Sequence, residues 1–217
     1  MAKSFIFDMD GVIINTENAW HKEGKQFLEN LYGKRLYNTI KNELTGIRLL
    51  DEYELVKKHG FKMSKEEHLR RYTSQAEIIF KIAKITTGIV ELIDLLYERG
   101  FIIVIVSSAP MSWIEMTLSK LPNRQKFKKI ISLNDRYDLK GKPSPDGYLE
   151  AMRLINSNPN ETMILEDSNK GLESAKASGA YTICLKENLP KEYISGEADL
   201  FVSNVQELIK FIELMKN

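Results

Sequence analysis

The sequence predicts an α/β protein, a doubly wound, Rossmann-like and mostly parallel sheet core that carries an inserted α-helical domain. Three observations predict it. Phe101 to Val106 reads Phe-Ile-Ile-Val-Ile-Val, an unbroken run of the kind that suits a strand buried on both faces, as in parallel sheets covered by helices. Other short apolar runs alternate with helical patterns along the chain. Between the first strand and the run at 101 lies a long amphipathic stretch with no strong strand signal.

The elements follow in order. Ser4 to Phe7 is the first strand. Residues 16–85 read as several amphipathic helices, among them Trp20 to Leu31 and Leu50 to Lys58, so we expect a helical cap domain there and a core domain built from 1–15 and 86–217. A helix near 89–99 is stopped by Gly100, the strand at 101 follows, and a helix near 112–120 comes next. Strands at Lys129 to Ser132, Thr162 to Leu165, Tyr181 to Leu185 and Asp199 to Val202 then alternate with helices near 146–155, 170–178 and 205–215. No internal repeat or long low-complexity linker interrupts them.

A chain of 217 residues that is 43% hydrophobic can bury a sizeable core. Its 31 basic and 30 acidic side chains leave a formal charge of +1, which argues against nucleic acid as a partner. Residues 15–84 hold 14 basic and 10 acidic groups, a net of +4, so the remainder carries 17 against 20, or −3; charge on helices is most often a solvated face. Cys184 is the only cysteine and cannot form an internal disulfide, and no Cys/His spacing resembles a zinc site, so a reduced, cytoplasmic protein is expected. No apolar run approaches the ~20 residues that span a bilayer, and no membrane or obligate protein partner is expected.

In an open parallel sheet, ligands bind beyond the carboxyl ends of the strands. Polar groups leave the strands there: Asp8 and Asp10 after the first, Ser107 and Ser108 after the one at 101, Glu166 and Asp167 after the one at 162, with Lys142 in the loop Lys140 to Pro145. A lone aspartate at a strand end is usually a cap or turn residue, but a polar set at every such exit is a different matter. Four carboxylates at one edge repel, and a hard divalent cation with oxygen ligands, Mg²⁺, resolves that repulsion. A carboxylate can attack phosphorus once metal, lysine and hydroxyl or amide donors neutralise the charge. The strand's period of two puts Asp8 and Asp10 on one side, so that one can attack while the other donates a proton, and Gly11 permits a tight turn.

These residues, in this order, resemble the four motifs of the haloacid-dehalogenase-like hydrolase superfamily, in its branch with a helical cap after the first strand. Asp8-Met9-Asp10-Gly11-Val12 resembles the first motif, Val106-Ser107-Ser108 the second, Gly141 to Asp146 the third and Leu165 to Gly171 the fourth. Each alone is a weak signal; the ordered set covers nearly the whole chain. The resemblance implies that Asp8 is a nucleophile forming an aspartyl-phosphate and that Asp10 is general acid and then base. It implies that Ser107 and Lys142 hold the phosphoryl group, with the Ser108 amide as a further donor. Asp8, the Asp10 carbonyl and Asp167 would ligate Mg²⁺, with Glu166 assisting. Asp10 together with Asp167 argues for phosphoryl transfer rather than dehalogenation.

The expected activity is a phosphatase acting on a small phosphate ester, a sugar phosphate or similar. The alternative within the branch is a sugar-phosphate mutase resembling β-phosphoglucomutase, and the alternative of another class is a catalytically inactive binding or regulatory protein, although Asp8, Asp10, Lys142 and Asp167 are all present. After the first motif the chain reads Asn15-Thr16-Glu17-Asn18-Ala19-Trp20, with Asn15 in place of the family's usual aspartate and Asn18 in place of its proline. Trp20 stands about where the mutases carry histidine, which favours a hydrolase, though His21 is adjacent. Arg48, in the Gly46-Ile47-Arg48 turn, is a candidate substrate contact. His21, His59 and His68 lack zinc or triad spacing and read as packed or solvated helix positions, and Cys184 and Trp113 read as packing. No Gly-x-Ser-x-Gly elbow or Gly-x-Gly-x-x-Gly loop occurs. A response-regulator receiver would place its aspartate mid-chain and leave the insert unexplained.

Overall fold

A computed structural model describes residues 3–16, 19–44, 47–188 and 196–215. Among these, six parallel strands form one sheet in the order β5-β4-β1-β6-β7-β8. They are β1 (Ser4–Phe7), β4 (Ile102–Ser107), β5 (Phe127–Ser132), β6 (Thr162–Glu166), β7 (Tyr181–Leu185) and β8 (Leu200–Val202). Two short strands, β2 (Ile14–Asn15) and β3 (Lys84–Ile85), pair antiparallel outside the sheet. No helix among the described residues is long and apolar enough to cross a membrane.

β1 lies at the centre, Ser4 opposite Ile102 on one side and Thr162 on the other. Alternation along the strands divides the core. Phe5, Phe7, Ile103, Ile105, Leu165 and Ile183 belong to one apolar layer, and Ile6, Val104, Val106, Ile131 and Ile164 to the other. The first layer is closed by α5 (Ile89–Glu98), α6 (Met111–Leu118) and α9 (Val205–Leu214), the second by α7 (Asp146–Leu154) and α8 (Asn169–Ala177). Helices therefore cover both faces, which is why Ile103 to Val106 can be apolar on both sides and fully buried. Gly100 ends α5 at φ +79°, a conformation that disfavours a side chain.

Between β2 and β3 the chain forms α1 (Lys25–Tyr32), α2 (Lys34–Ile40), α3 (Leu49–Lys58) and α4 (Lys65–Ile82). The single helix expected from Trp20 to Leu31 is instead a π-helical segment, Trp20–Gly24, running into α1. Its cause is local: the Trp20 ring lies where a Cβ on Gly24 would meet it at 2.2 Å, so the widened turn and the glycine make room for the indole. The antiparallel pair β2–β3 was also not expected, because two residues per strand leave no periodicity to read. It joins the points where the chain departs for these helices and returns.

Candidate active site

The site lies at the carboxyl ends of β1, β4 and β6, where the strand order reverses direction. β1 ends at Phe7, and the Asp8 N–H donates to the Leu165 carbonyl at 2.9 Å, so Asp8 still follows the sheet. The chain then turns through Met9 to Ile14, with Gly11 donating to Ile14 O at 2.8 Å and Ile13 to Met9 O at 2.8 Å. Gly11 has φ +83°, and a Cβ there would stand 1.8 Å from Asp167 Oδ2. Only glycine lets the first turn and Asp167 approach so closely.

Lys142 is the centre of charge. Its Nζ donates to Asp8 Oδ1 at 2.5 Å and to Glu166 Oε1 at 2.5 Å, and the residue is buried. Asp146, the first residue of α7, shapes its loop by accepting from the Lys140 N–H at 3.0 Å and the Ser144 hydroxyl at 2.6 Å. Burial alone would lower the lysine's pKa, but Asp8 and Glu166 hold it well above the ordinary value, so the ammonium stays charged.

Glu166 is held on both oxygens. Oε1 also accepts from the Tyr148 hydroxyl at 2.5 Å, and Oε2 from the Asp167 N–H at 3.1 Å and the Ser168 N–H at 3.4 Å. A Cβ on Gly171 would come within 2.0 Å of this carboxylate, so α8 too needs a glycine to approach it. Asp8, Glu166 and Asp167 can each offer an oxygen within 4.8 Å of the others. Burial, opposed by Lys142, raises the Asp8 carboxyl to about 7. Burial and the charges of Asp8 and Glu166 push Asp167 well above the usual carboxylate range. Three buried carboxylates with one lysine among them form an oxygen-rich, electron-dense set that a hard divalent cation fits.

Asp10 is not one of the three carboxylates that converge, but it lies near enough for its charge to help raise Asp8 and Asp167. It is exposed, and its carboxylate accepts from the Thr16 hydroxyl. The buried Ser107 hydroxyl accepts from the Ala109 N–H at 3.1 Å, and the Ser108 hydroxyl is buried with no protein partner. Thus the structure brings Asp8, Lys142, Glu166 and Asp167 into contact, puts Ser107 and Ser108 at the end of the neighbouring strand, and leaves Asp10 at the open side.

The residues expected to meet substrate are placed differently. Arg48 Nε and Nη2 donate to the two oxygens of Asp51 at 2.6 and 2.8 Å, and Nη1 donates to the carbonyls of Leu133 and Leu139 at 3.2 and 2.9 Å. It docks α3 onto the loop that leads to Lys142. Trp20 packs against Tyr72, ring centroids 5.7 Å apart, and Tyr72 stacks on Trp113 at 6.1 Å, which links the helical insert to α6. Glu17, Asn18, Gly46 and the side chain of His21 lie outside the described residues. Reading the sequence missed Tyr148 and Thr16. Tyr148 sits on the buried face of α7 and reads as core, and the Thr16 contact depends on a turn with no fixed period.

A parallel sheet with a lysine-neutralised carboxylate cluster beyond its central strand defines an α/β enzyme that handles an anionic substrate group. The chain belongs to the haloacid dehalogenase-like hydrolase family, whose model matches residues 5–185, and curated relatives that it matches include phosphatases. It is 26% identical over 213 residues to the validoxylamine A 7'-phosphate phosphatase of Streptomyces hygroscopicus subsp. limoneus, covering 96% of each chain. It is 25% identical over 179 residues to a phosphorylated carbohydrates phosphatase of Thermotoga maritima, covering 82% of each. Among solved structures, CbbY from Rhodobacter sphaeroides in complex with phosphate superposes with a TM-score of 0.77 at 20% identity, covering 99% of this chain and 100% of that one.

Proposed function

We propose that the protein is a Mg²⁺-dependent phosphatase that hydrolyses a small phosphomonoester, a sugar phosphate or similar, through an aspartyl-phosphate on Asp8. The observation that carries this reading is the buried contact of Lys142 with both Asp8 and Glu166 at 2.5 Å, beside Asp167. The named activities of the two curated relatives, on validoxylamine A 7'-phosphate in one case and on phosphorylated carbohydrates in the other, support a small phosphate ester as substrate.

In the first step an Asp8 oxygen bonds to phosphorus while the bond from phosphorus to the alkoxy oxygen breaks, and Asp10 gives that oxygen its proton. In the second a water oxygen bonds to phosphorus, the Asp8–phosphorus link breaks, and Asp10 takes the proton back. Lys142 and the Ser107 hydroxyl hold the phosphoryl oxygens, with the Ser108 amide. Asp8, the Asp10 carbonyl and Asp167 would hold Mg²⁺ with Glu166 beside them, and the cation would neutralise charge on the phosphoryl group. Glu166, fixed by Tyr148 and two amides, keeps Lys142 charged and aimed. The helical insert, residues 16–85, serves as a cap over the core formed by 1–15 and 86–217. Its closure would exclude bulk water while Asp8 is being phosphorylated and admit the one water that the second step uses.

The test is phosphate release from a panel of sugar and other metabolite phosphates, with Mg²⁺ and with chelator. Mg²⁺-dependent release that Asp8→Asn abolishes is the expected result; full activity in that variant sinks the mechanism. Isomerisation of β-glucose 1-phosphate without net release would identify a mutase, and silence across the panel would favour an inactive binding protein.

A further inference from the structure

The chemistry proposed above makes no use of Asn188, yet this side chain joins three parts of the protein that the site depends on. It follows β7 in a segment fastened to the core: Lys186 N–H donates to Val202 O at 2.9 Å, and Glu187 Oε2 accepts from the Val205 N–H at 3.0 Å. Asn188 Nδ2 donates to the Gly11 carbonyl at 2.8 Å and to Thr86 Oγ1 at 3.2 Å, while its Oδ1 accepts from Asn15 Nδ2 at 2.6 Å. Gly11 belongs to the turn after β1, Asn15 to the strand that leaves for the helical insert, and Thr86 to the chain just after the strand that returns. One amide thus holds the turn and both connections.

The polarity of that amide is determined. A carbonyl oxygen can only accept, so Gly11 requires the NH₂ group of Asn188 on its side, which turns the amide oxygen toward residue 15. Residue 15 must then be a donor. Asparagine fits, whereas an aspartate there would set a carboxylate against an amide oxygen. Next along the chain, the Thr16 hydroxyl donates to the Asp10 carboxylate. Asp10 therefore sits between two tethered points, Gly11 after it and Thr16 across from it, and both are anchored through Asn188.

We infer that Asn188, with Asn15 as its matched partner, is a positioning residue that holds Asp10 where it can exchange a proton with the leaving oxygen. The inference rests on the reading of Asp10 as general acid and base.

The experiment compares kcat for an alkyl phosphate with kcat for 4-nitrophenyl phosphate in the Mg²⁺-loaded protein. An alkoxide must be protonated as it leaves, while nitrophenolate departs without a proton, so the ratio reports the acid specifically. Asn188→Ala and Asn15→Asp are each expected to lower the alkyl-to-nitrophenyl ratio about tenfold, part of the roughly 10²–10⁴ that a positioned acid supplies. In the double variant the Asn15→Asp effect should shrink, since no amide oxygen remains to oppose the carboxylate. Should Asn188→Ala fail to fold, the near-isosteric Asn15→Asp reads the same ratio. Equal losses for both esters, or additive effects in the double variant, would overturn the inference and leave Asn188 a structural tie. If the unsubstituted protein turns over neither ester, the hydrolase reading fails first and this one falls with it.

Discussion

Glu52 and His68 lie buried within the helical insert, joined through one phenol, and their opposite displacements lead to a testable cancellation. The Tyr32 hydroxyl donates to Glu52 and lies 2.7 Å from His68 Nε2, and Tyr72 also bonds Glu52. Burial raises the Glu52 carboxyl from 4.5 to about 7, against the lowering effect of the two phenols, and burial lowers His68 from 6.5 to about 4. Between pH 4.5 and 6.5 the folded pair therefore binds one proton, on Glu52, and the unfolded pair also binds one, on His68. Stability changes with pH only where folded and unfolded states bind different numbers of protons, so this pair contributes almost nothing to the slope. Glu52→Gln leaves the histidine, whose folded pKa is depressed: the unfolded chain alone gains a proton as pH falls, and about 2 kcal/mol is lost between pH 7 and 5 relative to the unsubstituted protein. His68→Gln leaves the glutamate, whose folded pKa is raised: the folded chain alone gains the proton, and about 2 kcal/mol is gained over the same interval. Urea unfolding at both pH values, followed by the fluorescence of Trp20 and Trp113, measures each difference. Two variants that both run parallel to the unsubstituted protein would refute the paired-proton account.

Other expectations concern the site. Gly171→Ala should destabilise the protein and lower phosphate release because its Cβ meets the Glu166 carboxylate at 2.0 Å; a gain in stability of about 1 kcal/mol, the usual result of Gly to Ala inside a helix, would show that the carboxylate can yield. Holding a cation requires Asp8 and Asp167 to release protons that burial helps them keep, so Mg²⁺ should raise the Tm more at pH 8 than at pH 6; equal shifts would place the cation elsewhere. Arg48→Ala removes the bonds to the Leu133 and Leu139 carbonyls and should cost about 1–3 kcal/mol in stability and raise KM; a variant unchanged in both would mean the docking contact is incidental.

The sheet was legible because its strands are long enough to show a pattern. Ile103 to Val106 are buried on both faces and announce themselves as a continuous apolar run, and Gly100 marks the end of the preceding helix. The charged residues at strand exits were legible for a related reason: a parallel sheet brings its carboxyl ends to one edge, so position in the chain implies position in the site. What stayed hidden depends on side chains meeting across long separations. Tyr148 and Glu166 touch across 18 positions and Asn15 and Asn188 across 173, with no periodicity linking either pair. The Glu52–Tyr32–His68 cluster was hidden because each member lies on the buried stripe of its own helix, where polar residues look like breaks in a pattern rather than parts of a network.

The distribution of hydrogen bonds among the four charged groups separates their tasks. Glu166 uses both oxygens on Lys142, Tyr148 and two backbone amides, with Gly171 close against it, so it is held as the counterion of Lys142. Asp8 accepts from Lys142 through Oδ1, and Asp167 rests against the space over Gly11. Their raised pKa values follow from that arrangement, since buried carboxylates with too few donors keep their protons until a cation or substrate arrives. The fixed bonds are thus concentrated on Glu166, the partner of Lys142, while Asp8, at the end of the buried β1, is the group that the proposed chemistry would offer to phosphorus.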